Sequence, residues 1–145
     1  MSNLIPAIDI SSSGLQAERT RLEIVASNIT NSVTTRGPDG QPYRRKEVVF
    51  APVLDQAQQA GGIGAGQKVS GVRVAKIVDD PTPFQKIYNP GHPHADAQGF
   101  VKMPNVNVVD EMVDMMTATR AYEANLEVIK NGRQMVSRAI QIAEA

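Results

Sequence analysis

Two histidines and an aspartate are the residues best placed for chemistry. Gly91-His92-Pro93-His94-Ala95-Asp96 sets two imidazoles beside a carboxylate, a donor set that divalent metals accept. These are the chain's 2 histidines. Pro93 and the flanking Gly and Asn place them in a turn, with no rigid element to hold a coordination geometry. The stretch therefore reads as a solvated turn. Gly62-Ile63-Gly64-Ala65-Gly66-Gln67-Lys68 resembles a phosphate loop only in outline. Such a loop needs Ser or Thr after the Lys at a helix start, and here Val69 opens a strand-like run. Arg44-Arg45-Lys46, next to Tyr43, reads as an exposed strand edge kept from stray pairing by its charge. The acidic pairs Asp79-Asp80 and Asp110-Glu111 fall at a turn and a helix start, which explains them without catalysis. No Ser/His/Asp set has supporting context. The expectation is no enzyme, no cofactor, no metal and no small-molecule substrate.

Composition points the same way. Fifteen basic and 15 acidic residues give a net charge of zero, which leaves no basic face for nucleic acid. Cysteine is absent, so disulfides and thiol chemistry are excluded. No stretch approaches the run of about 18 apolar residues that spans a bilayer. The start, Met-Ser-Asn-Leu-Ile-Pro-Ala-Ile-Asp, has neither the basic nor the apolar segment of a cleavable signal. Aromatics are only 4% of the 145 residues, so the apolar content is mostly aliphatic and Met, much of it at helical spacing.

Three segments follow from the patterning. Residues 1–33 hold a first helix, from about Pro6 to Asn31. Ile8, Leu15, Leu22 and Ile29 recur every seven residues, with Val25 and Ala26 widening the stripe. Ser11-Ser12-Ser13-Gly14 are poor helix formers, so the first two turns should form only when packed. Residues 34–104 hold every Pro except Pro6 and most of the Gly. Strands are expected within Tyr43–Leu54, over Val69–Val78, and over Gly99–Met103, with Pro81–Pro93 extended and Gln56–Gln67 a flexible loop. Residues 105–145 hold a second helix, capped by Asn107 with Asp110 three positions on. Its heptad rows are Val108, Met115, Tyr122, Ile129, Val136, Ala143 and Met112, Thr119, Leu126, Arg133, Ile140. The fold class is α+β: long terminal helices pairing as an antiparallel coiled-coil-like unit around a small, irregular β-rich middle.

At about 1.5 Å per residue the second helix would reach about 57 Å and the first about 37 Å, more than the middle can cover. Val109, Val113 and Met116 are left seeking cover, and each such side chain gains about 1.5–3 kcal/mol on burial. Partner chains are the simplest supply. The candidate interface is Leu15, Leu22, Val25 and Ile29 in the first helix. In the second it is Met112, Met115, Tyr122, Leu126, Ile129, Val136 and Ile140. An alternative is a soluble coiled-coil adaptor or export chaperone that binds a partner helix.

Several stretches resemble bacterial flagellar rod proteins, those of the proximal rod in particular. Pro104-Asn105-Val106-Asn107-Val108-Val109-Asp110-Glu111-Met112-Val113-Asp114-Met115 and Arg120-Ala121-Tyr122-Glu123-Ala124-Asn125 are similar to the family's C-terminal motif. Leu22-Glu23-Ile24-Val25-Ala26-Ser27-Asn28-Ile29 looks like its N-terminal motif. Tyr43-Arg44-Arg45-Lys46, Gly91-His92-Pro93 and Gly99-Phe100-Val101 follow in matching order. The resemblance implies a structural subunit of a helical, torque-transmitting shaft whose terminal helices line the tube. It implies export by the flagellar type III apparatus without a cleaved signal, assembly in the periplasm, and location in the basal body. The implied partners are copies of itself, other rod proteins and the ring proteins, with no direct insertion into the membrane.

Overall fold

The structure, a computed structural model, describes residues 6–54 and 69–143. The Gln56–Gln67 loop and the Gly62–Lys68 stretch lie outside the described residues. Helix α1 spans Pro6–Thr30 and helix α2 spans Val108–Ala143. Between them come strands β1 (Lys46–Leu54), β2 (Val69–Asp79), β3 (Gln85–Tyr88) and β4 (Phe100–Met103). The class is α+β, with two antiparallel two-stranded ribbons, β1–β2 and β3–β4. No helix among the described residues is long and apolar enough to cross a membrane.

Both helix boundaries have local causes. Asn107 caps α2: its Oδ1 accepts the Val109 N–H at 3.1 Å, and its Nδ2 donates to Asp110 Oδ2 at 2.8 Å. Pro6 opens α1, where a missing N–H costs nothing. The end of α1 is closed by Asn31, whose Nδ2 donates to the Ser27 carbonyl at 2.9 Å. Pro52 sits within β1 opposite Val72, tolerated because a two-stranded ribbon leaves one side of each strand unpaired. The stretch expected to be merely extended contains β3, which pairs Gln85 with Met103 and Tyr88 with Phe100.

The helices run antiparallel, with Asn28 against Glu111 at one end and Ile8 against Gly132 toward the other. They meet through small and polar residues. Ser11, Ala17, Val25 and Asn28 are the buried positions of α1, and Glu111, Ala118 and Gly132 those of α2. A Cβ at Gly14 would lie 3.0 Å from Asn125 Nδ2, and one at Gly132 would lie 2.9 Å from Ile8 Cγ1. The expected leucine row is thus displaced. Leu15, Leu22 and Ile29 are half-buried beside this seam, while Val25 is within it. In α2 the row Met115, Tyr122, Ile129, Val136 is half-buried, whereas Met112, Leu126 and Ile140 are exposed. The heptad frame treats both rows as inward, but α1 covers only one side of α2.

The β1–β2 ribbon covers α1. Ser13 Oγ donates to the Ile10 carbonyl at 2.7 Å and accepts the Val72 N–H at 3.1 Å. The poor helix formers at Ser11–Gly14 therefore serve packing: Ser11 is buried, Ser13 ties α1 to β2, and Gly14 admits Asn125. A Cβ at Gly71 would stand 2.6 Å from Ser13 Oγ and 3.2 Å from Ser13 Cβ. Ser13 cannot turn away without losing both bonds. Gly71→Ala is therefore expected to cost about 1–3 kcal/mol in urea denaturation, with a smaller cost in a Ser13→Ala background. Equal costs in both backgrounds would show that this contact does not govern the fit.

Candidate assembly interface

The end of α1, the start of β1 and the first turn of α2 meet at one carboxamide. Asn28 is 1% exposed and uses its full hydrogen-bonding capacity. Its Oδ1 accepts the Lys46 N–H at 3.0 Å and the Tyr43 hydroxyl at 2.9 Å. Its Nδ2 donates to the Lys46 carbonyl at 2.9 Å and to Glu111 Oε2 at 2.9 Å. Toward Lys46 the amide acts as one peptide unit of an extra strand. It holds the first residue of β1 to the last turn of α1.

Glu111 completes the junction. It is fully buried, and its Oε1 accepts Arg45 Nε at 2.6 Å. Arg45 is pinned from several sides: its backbone N–H donates to Asn105 Oδ1 at 2.9 Å, and its guanidinium lies 3.4 Å from Asp80 and 3.5 Å from Asp114. Asp114 in turn meets Arg21 of α1 at 3.3 Å. Burial works against the Arg45 charge, but the hydrogen bond and charge of Glu111, with Glu47 and Asp80, outweigh it and raise its pKa above the ordinary value. Asp80 is held below the usual carboxylate range, first by the hydroxyl and backbone N–H of Thr82 and then, against some burial, by Arg45.

Two sequence expectations need correction here. Arg44 and Arg45 do not form an exposed edge, although the Lys46 side chain is exposed. Arg44 donates to the carbonyls of Asp80 and Thr82 at 2.8 and 3.1 Å and stacks 4.3 Å over the Phe84 ring, and Arg45 is 22% exposed. Glu111 is not merely a charge at a helix start, because burial obliges it to have a partner. Sequence reasoning missed Asn28, Arg45, Asn105 and Glu111 as a set. Their separation along the chain hides the contact, and each has an ordinary local explanation. The signal available was Asn28 itself, a poor helix former three residues after Val25 on the packed face.

The second feature is a strip on the far side of α2. Val109, Met112, Val113 and Met116 are 67%, 52%, 52% and 57% exposed. Spacing of three and four residues puts them on one face, turned away from Glu111 and Ala118. Further along, Leu126, Met135, Ile140 and Ile142 are also exposed. The outward positions of α1, by contrast, include Asp9, Ser12, Gln16, Arg19 and Glu23. So many bare apolar side chains on one helix make it the candidate interaction face. Of the expected interface residues, the structure leaves Met112, Leu126 and Ile140 outward and sets the others at or beside the helix seam.

The histidine turn is built from its own polar groups. His92 Nδ1 accepts the His94 N–H at 3.1 Å, and His94 Nδ1 is 2.8 Å from Thr35 Oγ1. Asp96 Oδ1 accepts the N–H groups of Gln98 and Phe100, each at 2.9 Å. Those bonds, Phe100's first, hold the Asp96 carboxyl below its usual range.

Comparison with known proteins identifies the family. Residues 8–37 match the family model described as "Flagella basal body rod protein", and residues 97–142 match "Flagellar basal body rod FlgEFG protein C-terminal". The flagellar basal-body rod protein FlgC of Yersinia enterocolitica is 42% identical over 98% of this chain and 99% of its own. FlgC of Salmonella typhimurium is 43% identical over 97% and 98%, and that of Agrobacterium fabrum 43% over 100% and 99%. The chain belongs to the FlgC family of flagellar basal-body rod proteins. It is a structural rod subunit, and these matches do not favour the adaptor or chaperone reading. The two matched regions contain nearly all of both helices of the junction, including Asn28 and Glu111.

Two measurements test the junction. Removing one member of a buried pair strands the other charge, so Glu111→Ala is expected to cost about 3–5 kcal/mol. Replacing both partners, Glu111→Leu with Arg45→Met, should cost clearly less in urea denaturation. Additive costs would mean that the pair is uncoupled. The second test is acid. A depressed carboxyl stabilises the fold above its unfolded value, near ~4, and that contribution is lost as pH falls through the lower folded value. Stability should therefore decline below about pH 4, and Asp80→Asn should flatten part of that decline.

Proposed function

We propose that this rod subunit belongs to the proximal rod and assembles helically through its terminal helices to build the torque-transmitting shaft. The observation that carries the reading is the strip Val109, Met112, Val113 and Met116, bare on the side of α2 away from α1. In this reading α1 and α2 act as one coiled-coil-like unit, flanked by a middle segment, residues 34–104. Met112, Leu126 and Ile140 meet neighbouring subunits directly. Leu15, Leu22, Ile29, Met115, Tyr122, Ile129 and Val136 add their uncovered edges, and Val25 keeps the pair closed.

The neighbours are copies of this chain and other rod proteins, with the surrounding ring proteins as further contacts. The site of assembly is the periplasmic part of the basal body, reached without a cleaved signal. The subunit works without catalysis. Torque resistance is geometric: sliding one close-packed seam along another opens contacts along its whole length, and each lost contact adds to the barrier. The junction at Asn28 supports this role, because it fixes where the helix pair meets the β1–β2 ribbon.

Leu126 is 36% exposed, so a charge there still reaches water and costs the single chain only part of its packing. Leu126→Asp is expected to be exported and soluble yet to leave cells without a complete rod and non-motile. Export is read by immunoblot and rods by electron microscopy of isolated basal bodies. Full-length rods with normal motility in that strain would overturn the reading.

A further inference from the structure

The β3–β4 ribbon has one edge that the chain itself occupies and one that it leaves open. The Asn89 N–H donates to the Gly99 carbonyl at 2.9 Å, so alternate residues from there, Ile87 and Gln85, turn their backbone groups inward to Val101 and Met103. The intervening pairs, Lys86 opposite Lys102 and Tyr88 opposite Phe100, therefore turn theirs outward. On the β4 side the Asp96 turn takes up these groups at Phe100. The Phe100 N–H donates to Asp96 Oδ1, and the Phe100 carbonyl accepts the Asp96 N–H, each at 2.9 Å. On the β3 side the N–H and carbonyl groups of Lys86 and Tyr88 have no partner among the described residues, and β3 is exposed on every residue.

The side chains beside this open edge are unbalanced in charge. Lys86 and Lys102 share one face with Tyr88 and Phe100, whose rings meet edge to face at 5.3 Å. A pair without mutual backbone bonds brings its side chains closest, and like charges there oppose the pairing. Neither lysine forms an ion pair among the described residues. The Asp96 carboxyl, held low first by the Phe100 N–H, also feels both lysines, but its Oδ1 is already taken by Gln98 and Phe100. Two cations thus stand near one carboxylate, beside a tyrosine that is 64% exposed.

We propose that the outer edge of β3 is a docking site for an extended acidic segment of a partner protein, which adds antiparallel to the ribbon as a third strand. An Asp or Glu of that segment lies opposite Lys86, and two residues before it an apolar side chain lies opposite Tyr88. Backbone bonds supply attachment and side chains supply selection. A basic strand could close the same bonds but would add a third cation to Lys86 and Lys102, which is how edge lysines turn stray strands away. An acidic strand sets its carboxylate beside Lys86 and offsets the repulsion. The site lies within the middle segment and uses no part of α2, so it stands or falls apart from the rod reading.

The test uses the purified full-length chain and the peptide acetyl-Thr-Val-Thr-Glu-Thr-amide, titrated to millimolar concentration. Amide exchange followed by NMR should show the Lys86 and Tyr88 N–H groups slowed by the peptide, with Ile87, already bonded to β4, little changed. A peptide with Lys in place of Glu should bind about tenfold more weakly, because an attraction becomes a repulsion of similar size. Methylation of the Glu backbone nitrogen, which removes the bond to the Lys86 carbonyl, should abolish binding. Lys86→Glu should reverse the preference between the two peptides. Equal affinity for both peptides overturns the acidic partner. Binding without slowed exchange at Lys86 and Tyr88 overturns strand addition, and absence of binding overturns the site.

Discussion

One buried carboxamide sets the geometry of this chain. Asn28 has no freedom to exchange partners, because its donors and acceptors are all committed, two bonds to Lys46, one to Tyr43 and one to Glu111. A buried amide left partly unpaired is costly, so the arrangement is close to all-or-none. If β1 slips by one residue, Lys46 no longer presents both its N–H and its carbonyl. If α2 turns about its axis, Glu111 leaves both Asn28 and Arg45. The polar junction therefore specifies register in a way that the aliphatic contacts cannot. Hydrophobic burial is non-directional and would tolerate several placements of two such helices.

Away from the junction, the helix pair is held by closeness of approach. Gly14, Ala17, Ala118 and Gly132 bring the backbones near, so the larger side chains are displaced to the flanks. That displacement gives the helices two kinds of apolar residue. Tyr122, Ile129 and Val136 are shared between the pair and the surface, whereas Met112 and Ile140 contribute little to the single chain. A thin seam of small residues is sufficient to join two helices, and it leaves many of the larger apolar side chains partly or wholly at the surface.

The sequence made the helices legible because a seven-residue period over so many turns has no strand counterpart. It also made the Asn107 cap, β1, β2 and β4 legible, through turn residues and alternation. It did not reveal which row faces inward. Both rows of α2 are apolar, and a pattern within one helix does not say how much of its circumference a partner covers. β3 was hidden because Gln85–Tyr88 is short, exposed on every residue and flanked by prolines, so it lacks the burial that creates an alternating pattern. The junction was hidden for a different reason. Asn28, Arg45 and Glu111 lie far apart in the chain, and a polar residue carries no mark of the partner that folding will bring to it.

The sidedness of the helix pair has a consequence for growth. Over the first turns of α2 its outer side is apolar at Val109, Met112, Val113 and Met116, and its α1 side carries Arg19 and Glu23 paired to each other at 3.1 Å and open to water. Two such pairs brought together can therefore tell one flank from the other. Contact through α2 removes apolar surface from water, while contact through the outer positions of α1 must displace hydrated charge. A structure built from units of this kind carries direction within each unit, and a subunit presented back to front meets a wet surface where a dry one is required.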